Sequence, residues 1–309
     1  MPNPFEVEML TVQYTTDLEL LLQQEESRLR AFVDVKGGYV GKMVSPVQQI
    51  APLEFKQVQG RFTPIQYQFA SYTRRWVSPS FRDLGTAVDT FDQLQTIVNP
   101  TAGISKTVMA AGQRYFDDVI IAAAFASAQT GVDPSSLSTE TWPATTFLVS
   151  DTFDSAASSG MTFSKIIEGR RILRHFQNNL AADPPTMACG SQQESDLLKQ
   201  VEVVDKNYND QPVVEEGKVT RILGTNVIYS ERLNTSSSNT LRNCIMWVRS
   251  GVHLGIWKDV EMDVSQNKTL TGHPWVLYAM VGTGATRTQL GKIIQINAAD
   301  TTSVDPTAP

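Results

Sequence analysis

The sequence is poor in the residues that build most enzymatic and metal chemistry. Its 309 residues hold two cysteines, Cys189 and Cys244, and three histidines, His175, His253 and His273. Two thiols exclude a disulfide framework and fit a reducing compartment. None of these residues stands at HxxxH, HxH or CxxC spacing, which argues against a structural metal site. Phosphate-cradling loops of the GxxxxGK[ST] or GxGxxG type are missing, and Gly282-Thr283-Gly284 lacks the third glycine and a following helix. The longest apolar run, Val119 to Ala126, is eight residues, against about 20 for a membrane-spanning helix. The start, MPNPFEVEML, has no basic stretch or long apolar core, so the chain is expected to be made and kept in a cytoplasm. Basic excess is missing too: 26 Lys and Arg face 32 Asp and Glu, a net of −6, where a dedicated DNA-binding protein carries the opposite sign. With 19 glycines and 15 prolines, the chain falls well short of low-complexity composition.

What remains is a globular chain whose texture changes along its length. Leu18, Leu21, Leu22, Glu25 and Leu29 fall at helical spacing and predict a short amphipathic helix with a Leu stripe, in which Glu26 and Arg30 form an i,i+4 pair. From Ala31 to about Phe81 the pattern turns to β. Val58, Gly60 and Phe62, then Ile65, Tyr67 and Phe69, alternate with polar residues at a period of two, predicting a long hairpin or ribbon. Such a ribbon has one thin apolar face, and isolated hairpins are marginal in water, so it needs a neighbour to rest on. Residues 84–98 read as a helix. Asn99-Pro100 then opens a longer one, with Ile104, Val108, Ala111, Tyr115, Val119, Ala122 and Ala126 as its apolar stripe and Arg114 reaching Asp117 and Asp118. Gly103 and Gly112 each cost such a helix about 1 kcal/mol, which points to close packing there.

Residues 129–161 are Ser/Thr-rich and read as a surface loop with short strands. Residues 163–180 form an amphipathic helix, TMACG a buried strand, and Ser191-Gln192-Gln193-Glu194 a capping box opening a further helix. Six strands follow between Lys218 and Ala298, then a tail. The order predicts an α+β fold rather than alternating βαβ units.

Three places invite a chemical reading. Cys189-Gly190-Ser191 sits at a strand-to-helix turn like a nucleophile elbow but lacks G-x-S-x-G, and helix capping accounts for Ser191. Asp205-x-Asn207-x-Asn209 with Glu216 partly matches a calcium loop, with Asp210 where glycine belongs. Arg74-Arg75-Trp76 pairs charge with an aromatic that could stack on bases, although a solvated strand end explains it as well. Arg170-Arg171-x-x-Arg174-His175 is the other dense basic group. Catalytic, cofactor and metal residues are therefore assigned as none, and the chain reads as one whose product is a surface.

The order of parts, with the phrases Arg114-x-x-Asp117-Asp118-Val119-Ile120, Gly217-Lys218-Val219-Thr220 to Val227, and VHLGIWKDVEMDV to GATRTQLGKIIQI, resembles the major capsid protein of tailed bacteriophages, the HK-ninety-seven-type fold. The resemblance covers nearly the whole chain. It implies an N-terminal arm at 1–30, an extended β-hairpin E-loop at 31–81, a peripheral domain at 82–164 with a long spine helix, an axial domain at 165–245, a peripheral sheet completed by 246–300, and a tail at 301–309. It implies self-assembly as pentamers and hexamers into an icosahedral head around double-stranded DNA, bound without sequence specificity. Leu18, Leu22, Phe62, Tyr67, Phe69, Arg74 and Arg75 would lie at inter-subunit contacts, and Val108, Tyr115 and Val119 in the spine-helix core against Trp275 to Met280. A separate scaffolding protein is expected because no assembly domain precedes the arm, and portal and decoration or cement proteins are further expected partners. The chain would be made in host cytoplasm and end in the virion, with no cofactor and no membrane. Alternatives are an encapsulin-like compartment shell and a hydrolase using Cys189 or Ser191.

Overall fold

The computed structural model describes residues 21–88, 100–200, 219–236 and 240–300, apart from single positions 59, 63, 144, 156 and 272. Leu18, the expected helix beyond residue 88, and the calcium-like loop 205–216 lie outside the described residues. A 3-10 turn at Arg30–Phe32 leads into β1 (Asp34–Gly37), β2 (Val44–Ile50), β3 (Tyr72–Val77) and β4 (Ser80–Val88). Then come helix α1 (Pro100–Phe125), β5 (Ala128–Gly131), β6 (Ser138–Glu140), β7 (Leu148–Val149) and α2 (Phe163–His175). β8 (Pro185–Cys189) and α3 (Ser191–Leu198) follow. β9 (Arg221–Ile222), β10 (Thr225–Tyr229), β11 (Leu241–Val248), β12 (Val252–Gln266), β13 (Trp275–Arg287) and β14 (Ile293–Ala299) complete the chain. No described helix is long and apolar enough to cross a membrane.

The chain divides into two compact units. The larger comprises Ser27–Ser80, Tyr115–Trp257 and the residues from Gly282. Its six-stranded sheet has the order β7-β14-β11-β8-β10-β9. All five residues of β8 are buried, as are Cys244 to Val248 of β11, which is why TMACG and CIMWV are unbroken by charge. Helix α2 packs on this sheet at Gly169, where an added Cβ would stand 3.0 Å from Met246 Sδ and 3.3 Å from Ile296 Cδ1. Lys165 of α2 is fully buried, and its ammonium donates to the carbonyls of Ser159, Gly160 and Asn297 at 2.8, 2.9 and 3.2 Å. A second sheet has the order β2-β3-β5-β6. β1 pairs in parallel with the start of β12, Asp34 opposite His253.

Where α1 ends, Arg287 is wholly buried and donates to the carbonyls of Ala124 and Ala126, at 3.2 and 2.7 Å, and to that of Glu140 at 3.1 Å. A cation at a helix C-terminus satisfies carbonyls that have no intrahelical partner. Arg287 also lies over Trp142, which joins Phe125, Phe147 and Phe176 in a string of ring contacts.

The smaller unit comprises Phe81–Arg114, Lys258–Val281 and the described arm residues up to Glu26. Here β4, β13 and the far part of β12 are neighbours. Gly112 of α1 lies so close to this sheet that an added Cβ would stand 2.5 Å from Val260 Cγ2. That close approach explains a glycine in mid-helix.

Several expectations are corrected. Residues 21–29 are not helical; only the 3-10 turn follows them. The N–H groups of Arg28 and Leu29 donate to the Asp117 carboxylate instead of to the arm's own carbonyls. Residues 84–88, read as the start of a helix, are strand, because β13 offers β4 a hydrogen-bonded neighbour. The last strand, β14, pairs with β11 from Leu241↔Ala299 to Trp247↔Ile293. The α3 cap is displaced by one residue: Gly190 is the N-cap, and its N–H donates to Gln193 Oε1 at 3.1 Å.

Candidate assembly surfaces

The segment expected as a ribbon is paired only at its base. β2 and β3 pair antiparallel from Ile50↔Tyr72 to Val44↔Val77, and the described residues between them form no strand, with a turn near Phe62. The base is held by its own subunit. Trp76 Nε1 donates to the Gly131 carbonyl at 2.9 Å, and Gln49 Nε2 to that of Thr288 at 2.7 Å. Arg75, expected at an inter-subunit contact, is buried and ion-paired to Glu140 at 2.5 Å, so it belongs to the base instead. Arg74 reaches the Val132 carbonyl at 3.4 Å.

Beyond the base the loop carries large apolar side chains in water. Phe55 and Phe62 are fully exposed, Phe69 is 92% exposed, and Tyr67 and Ile65 are each 77% exposed. The two limbs, 53–58 and 64–68, enclose an open hollow of about 750 Å³. Scattered exposed apolar residues are ordinary, whereas a contiguous set of this kind marks an interaction surface. Leu21 and Leu22 of the arm are likewise exposed.

The arm leaves that exposed stretch through a set of anchors. Arg114 Nη1 donates to Gln23 Oε1 and the Gln24 carbonyl, at 2.9 and 3.0 Å, rather than reaching Asp117 and Asp118. Asp117 is wholly buried; its carboxylate accepts from Ser27 Oγ at 2.6 Å and from the N–H groups of Arg28 and Leu29, each at 3.1 Å. Asp118 takes the guanidinium of Arg232 in a two-point contact of 2.5 and 2.6 Å. Arg28 lies over the Tyr229 ring and Arg30 over Phe116.

On α1 the buried positions among the described residues are Val108, Ala110, Phe116, Asp117, Ile120, Ile121, Ala123 and Ala124. Val108 is buried, Tyr115 and Val119 are half-buried, and Ala122 and Ala126 are exposed. The buried face is turned by one residue from the expected stripe. The turn brings Asp117 inward, where the arm backbone supplies its hydrogen-bond donors.

The candidate chemical residues sit in structural roles. Cys189 and Cys244 are both fully buried. Burial pushes the Cys189 thiol well above its ordinary range and that of Cys244 up to about 12, which keeps both protonated and un-nucleophilic. The Ser191 N–H donates to Glu231 Oε1 at 2.6 Å. His253 is buried, with Nδ1 2.7 Å from Asp34 Oδ2 and Nε2 3.0 Å from the Tyr39 hydroxyl. With Nδ1–H donating to the carboxylate, Nε2 accepts from the phenol, and the imidazole ties β1 to β12. His175 lies edge-on to Phe176. Among the described residues no three His, Cys, Asp or Glu side chains gather to hold a metal. Sequence reasoning missed Asp117, His253 and Arg287 as tie points: His253 and Arg287 carry no spacing signal, and Asp117 reads beside Asp118 as an acidic pair facing Arg114.

An arm pinned to a long helix, a loop that leaves its own subunit with its apolar side chains bare, and a mixed sheet bearing α2 define a fold that solved structures share with phage capsid subunits. The capsid of cyanophage P-SCSP1u superposes with a TM-score of 0.71 at 13% identity, covering 95% of this chain and 94% of that one. A Mycobacterium phage Che8 structure gives 0.68 at 10% identity, covering 93% and 97%. The capsid of a native GTA particle gives 0.66 at 11%, covering 94% and 96%. No curated protein sequence matches the chain. The phage capsid protein family matches residues 8–300, and the chain belongs to that family. It is a bacteriophage major capsid protein, a structural component of the virion shell.

Proposed function

We propose that the chain is the repeating wall unit of an icosahedral head, assembled as pentamers and hexamers, with the loop between β2 and β3 laid across the next copy. One observation carries this reading: Phe55, Phe62 and Phe69 are bare in the subunit although the loop's base is firmly built. Burying such side chains is worth roughly 1.5–3 kcal/mol each, and a ring of identical copies supplies a cover for every loop. The contact set is Leu18, Leu22, Phe62, Tyr67, Phe69 and Arg74. Residues 1–30 act as the arm, 31–81 as the E-loop, 82–164 with most of 246–300 as the peripheral domain, and 165–245 with β14 as the axial domain.

The wall encloses double-stranded DNA without reading its sequence, which suits a net charge of −6 that limits adhesion to the genome. Its part is structural rather than catalytic, a reading supported by the two buried, protonated thiols. Synthesis occurs in host cytoplasm, and a separate scaffolding protein, a portal and a cement protein are the partners. Light scattering and electron microscopy of the purified chain should show shells of uniform diameter, and Phe55→Ser/Phe62→Ser/Phe69→Ser should leave a folded, unassembled subunit. A compact monomer under every assembly condition would refute the reading.

A further inference from the structure

The dense basic group on α2 has no role in the contacts above. Arg170 and Arg174 stand one helical turn apart on α2, and Arg221 of β9 brings its guanidinium to the same glycine, Gly224, as Arg170 does. The β9–β10 hairpin turns on two residues in the left-handed region, Leu223 at φ 48° and Gly224 at φ 71°. A Cβ on residue 224 would stand 3.5 Å from Arg170 Nη1 and 3.9 Å from Arg221 Nη2, so two guanidinium groups flank the space that this glycine leaves open.

Arg170 Nη1 is buried and has no hydrogen-bond partner, and the same holds for the hydroxyl of Thr225, the next residue after Gly224. Among the described residues no carboxylate pairs with Arg170, Arg174 or Arg221, whereas Arg171 is held by Glu168 at 2.6 and 2.7 Å. Burial, then Arg174 and Arg221, pull the Arg170 pKa below its ordinary value. A half-buried cation among like charges is costly, and an anion relieves the cost.

We propose that Arg170, Arg174 and Arg221, with the Gly224 turn as floor, form an oxyanion site that takes a phosphate group. A single carboxylate would offset one of three positive charges. A phosphate offers more charge and several acceptor oxygens, which the planar forks of two arginines meet in pairs. Free phosphate and the phosphodiester of DNA share this chemistry. The site is built from one subunit alone, so its test does not depend on the assembly reading.

The test uses the full chain in sodium phosphate against sodium chloride at equal ionic strength, followed by calorimetric titration and thermal unfolding. Phosphate should bind saturably and raise the melting temperature. Arg170→Gln and the more exposed Arg221→Gln should each lower phosphate affinity by about tenfold or more with unchanged circular dichroism. In chloride, Arg170→Gln should melt no lower than the parent, because it removes a partly buried cation whose Nη1 has no hydrogen-bond partner. A short DNA duplex forms the second arm: displacement of phosphate by the duplex assigns the site to the nucleic-acid backbone, and retention of phosphate against it assigns free phosphate. A stabilisation no larger than that of chloride, or unchanged affinity in both variants, overturns the proposal. So does an assembly defect in these variants without any phosphate binding by the parent, which gives the cluster to a carboxylate of the next copy.

Discussion

Asp117 holds the arm to α1 with three hydrogen bonds from Ser27, Arg28 and Leu29. Asp117→Ala leaves those donors without their acceptor and should cost about 3 kcal/mol. Urea unfolding measures the loss, and an unchanged midpoint would remove Asp117 from the anchors. Gly112→Ala tests packing in the smaller unit. Helix propensity favours alanine by about 1 kcal/mol, but the clash with Val260 Cγ2 at 2.5 Å outweighs it, since overpacking costs about 1–3 kcal/mol. The variant should melt below the parent, and Val260→Ala should restore it in a double-mutant cycle. A third test concerns pH. The folded-state pKa of Cys244 is raised from 9.0 to about 12. Its contribution is therefore complete below 9.0 and is lost as pH rises toward 12. Cys244→Ala should flatten the decline of stability over that interval, and parallel curves for parent and variant would contradict this.

At the scale of elements, α1 shows how far periodicity reaches. Its position and length are legible in the sequence, because Asn99-Pro100 marks the start and the apolar spacing persists to Phe125. Its buried face is not legible. Ala111-Tyr115-Val119-Ala122 and Gly112-Phe116-Ile120-Ala123 both satisfy a period of 3.6. The choice between them depends on Asp117, an acidic residue that is buried only because the arm backbone donates to it. Phe116→Ala should accordingly cost about 3–5 kcal/mol and Tyr115→Ala distinctly less; the reverse order in chemical denaturation would restore the other stripe. The arm misleads for the same reason, since Leu21, Leu22, Glu25 and Leu29 carry a helical pattern whose backbone is taken by a side chain 88 residues or more away. The β2–β3 base was legible as β texture. Its limits were not, because alternation between Gln57 and Phe69 describes extended chain whether or not a strand lies beside it. Arg75 beside Arg74 reads as a charged surface pair until Glu140 appears opposite it.

For the whole molecule, the order of arm, loop, long helix and late strands was readable because it is a property of the chain as a line. What each part touches was readable only where the touching groups are close in sequence. The bare loop links the two scales: its apolar side chains are exposed among the described residues of the subunit, and the proposed assembly would bury them. Hydroxyl-radical footprinting of Phe55, Phe62, Tyr67 and Phe69, read by mass spectrometry in the free subunit and in assembled particles, tests this most directly. The account predicts rapid oxidation of all four rings in the subunit and at least a tenfold fall in particles, with buried Phe116 slow in both. Equal oxidation of the loop rings in the two states would contradict it.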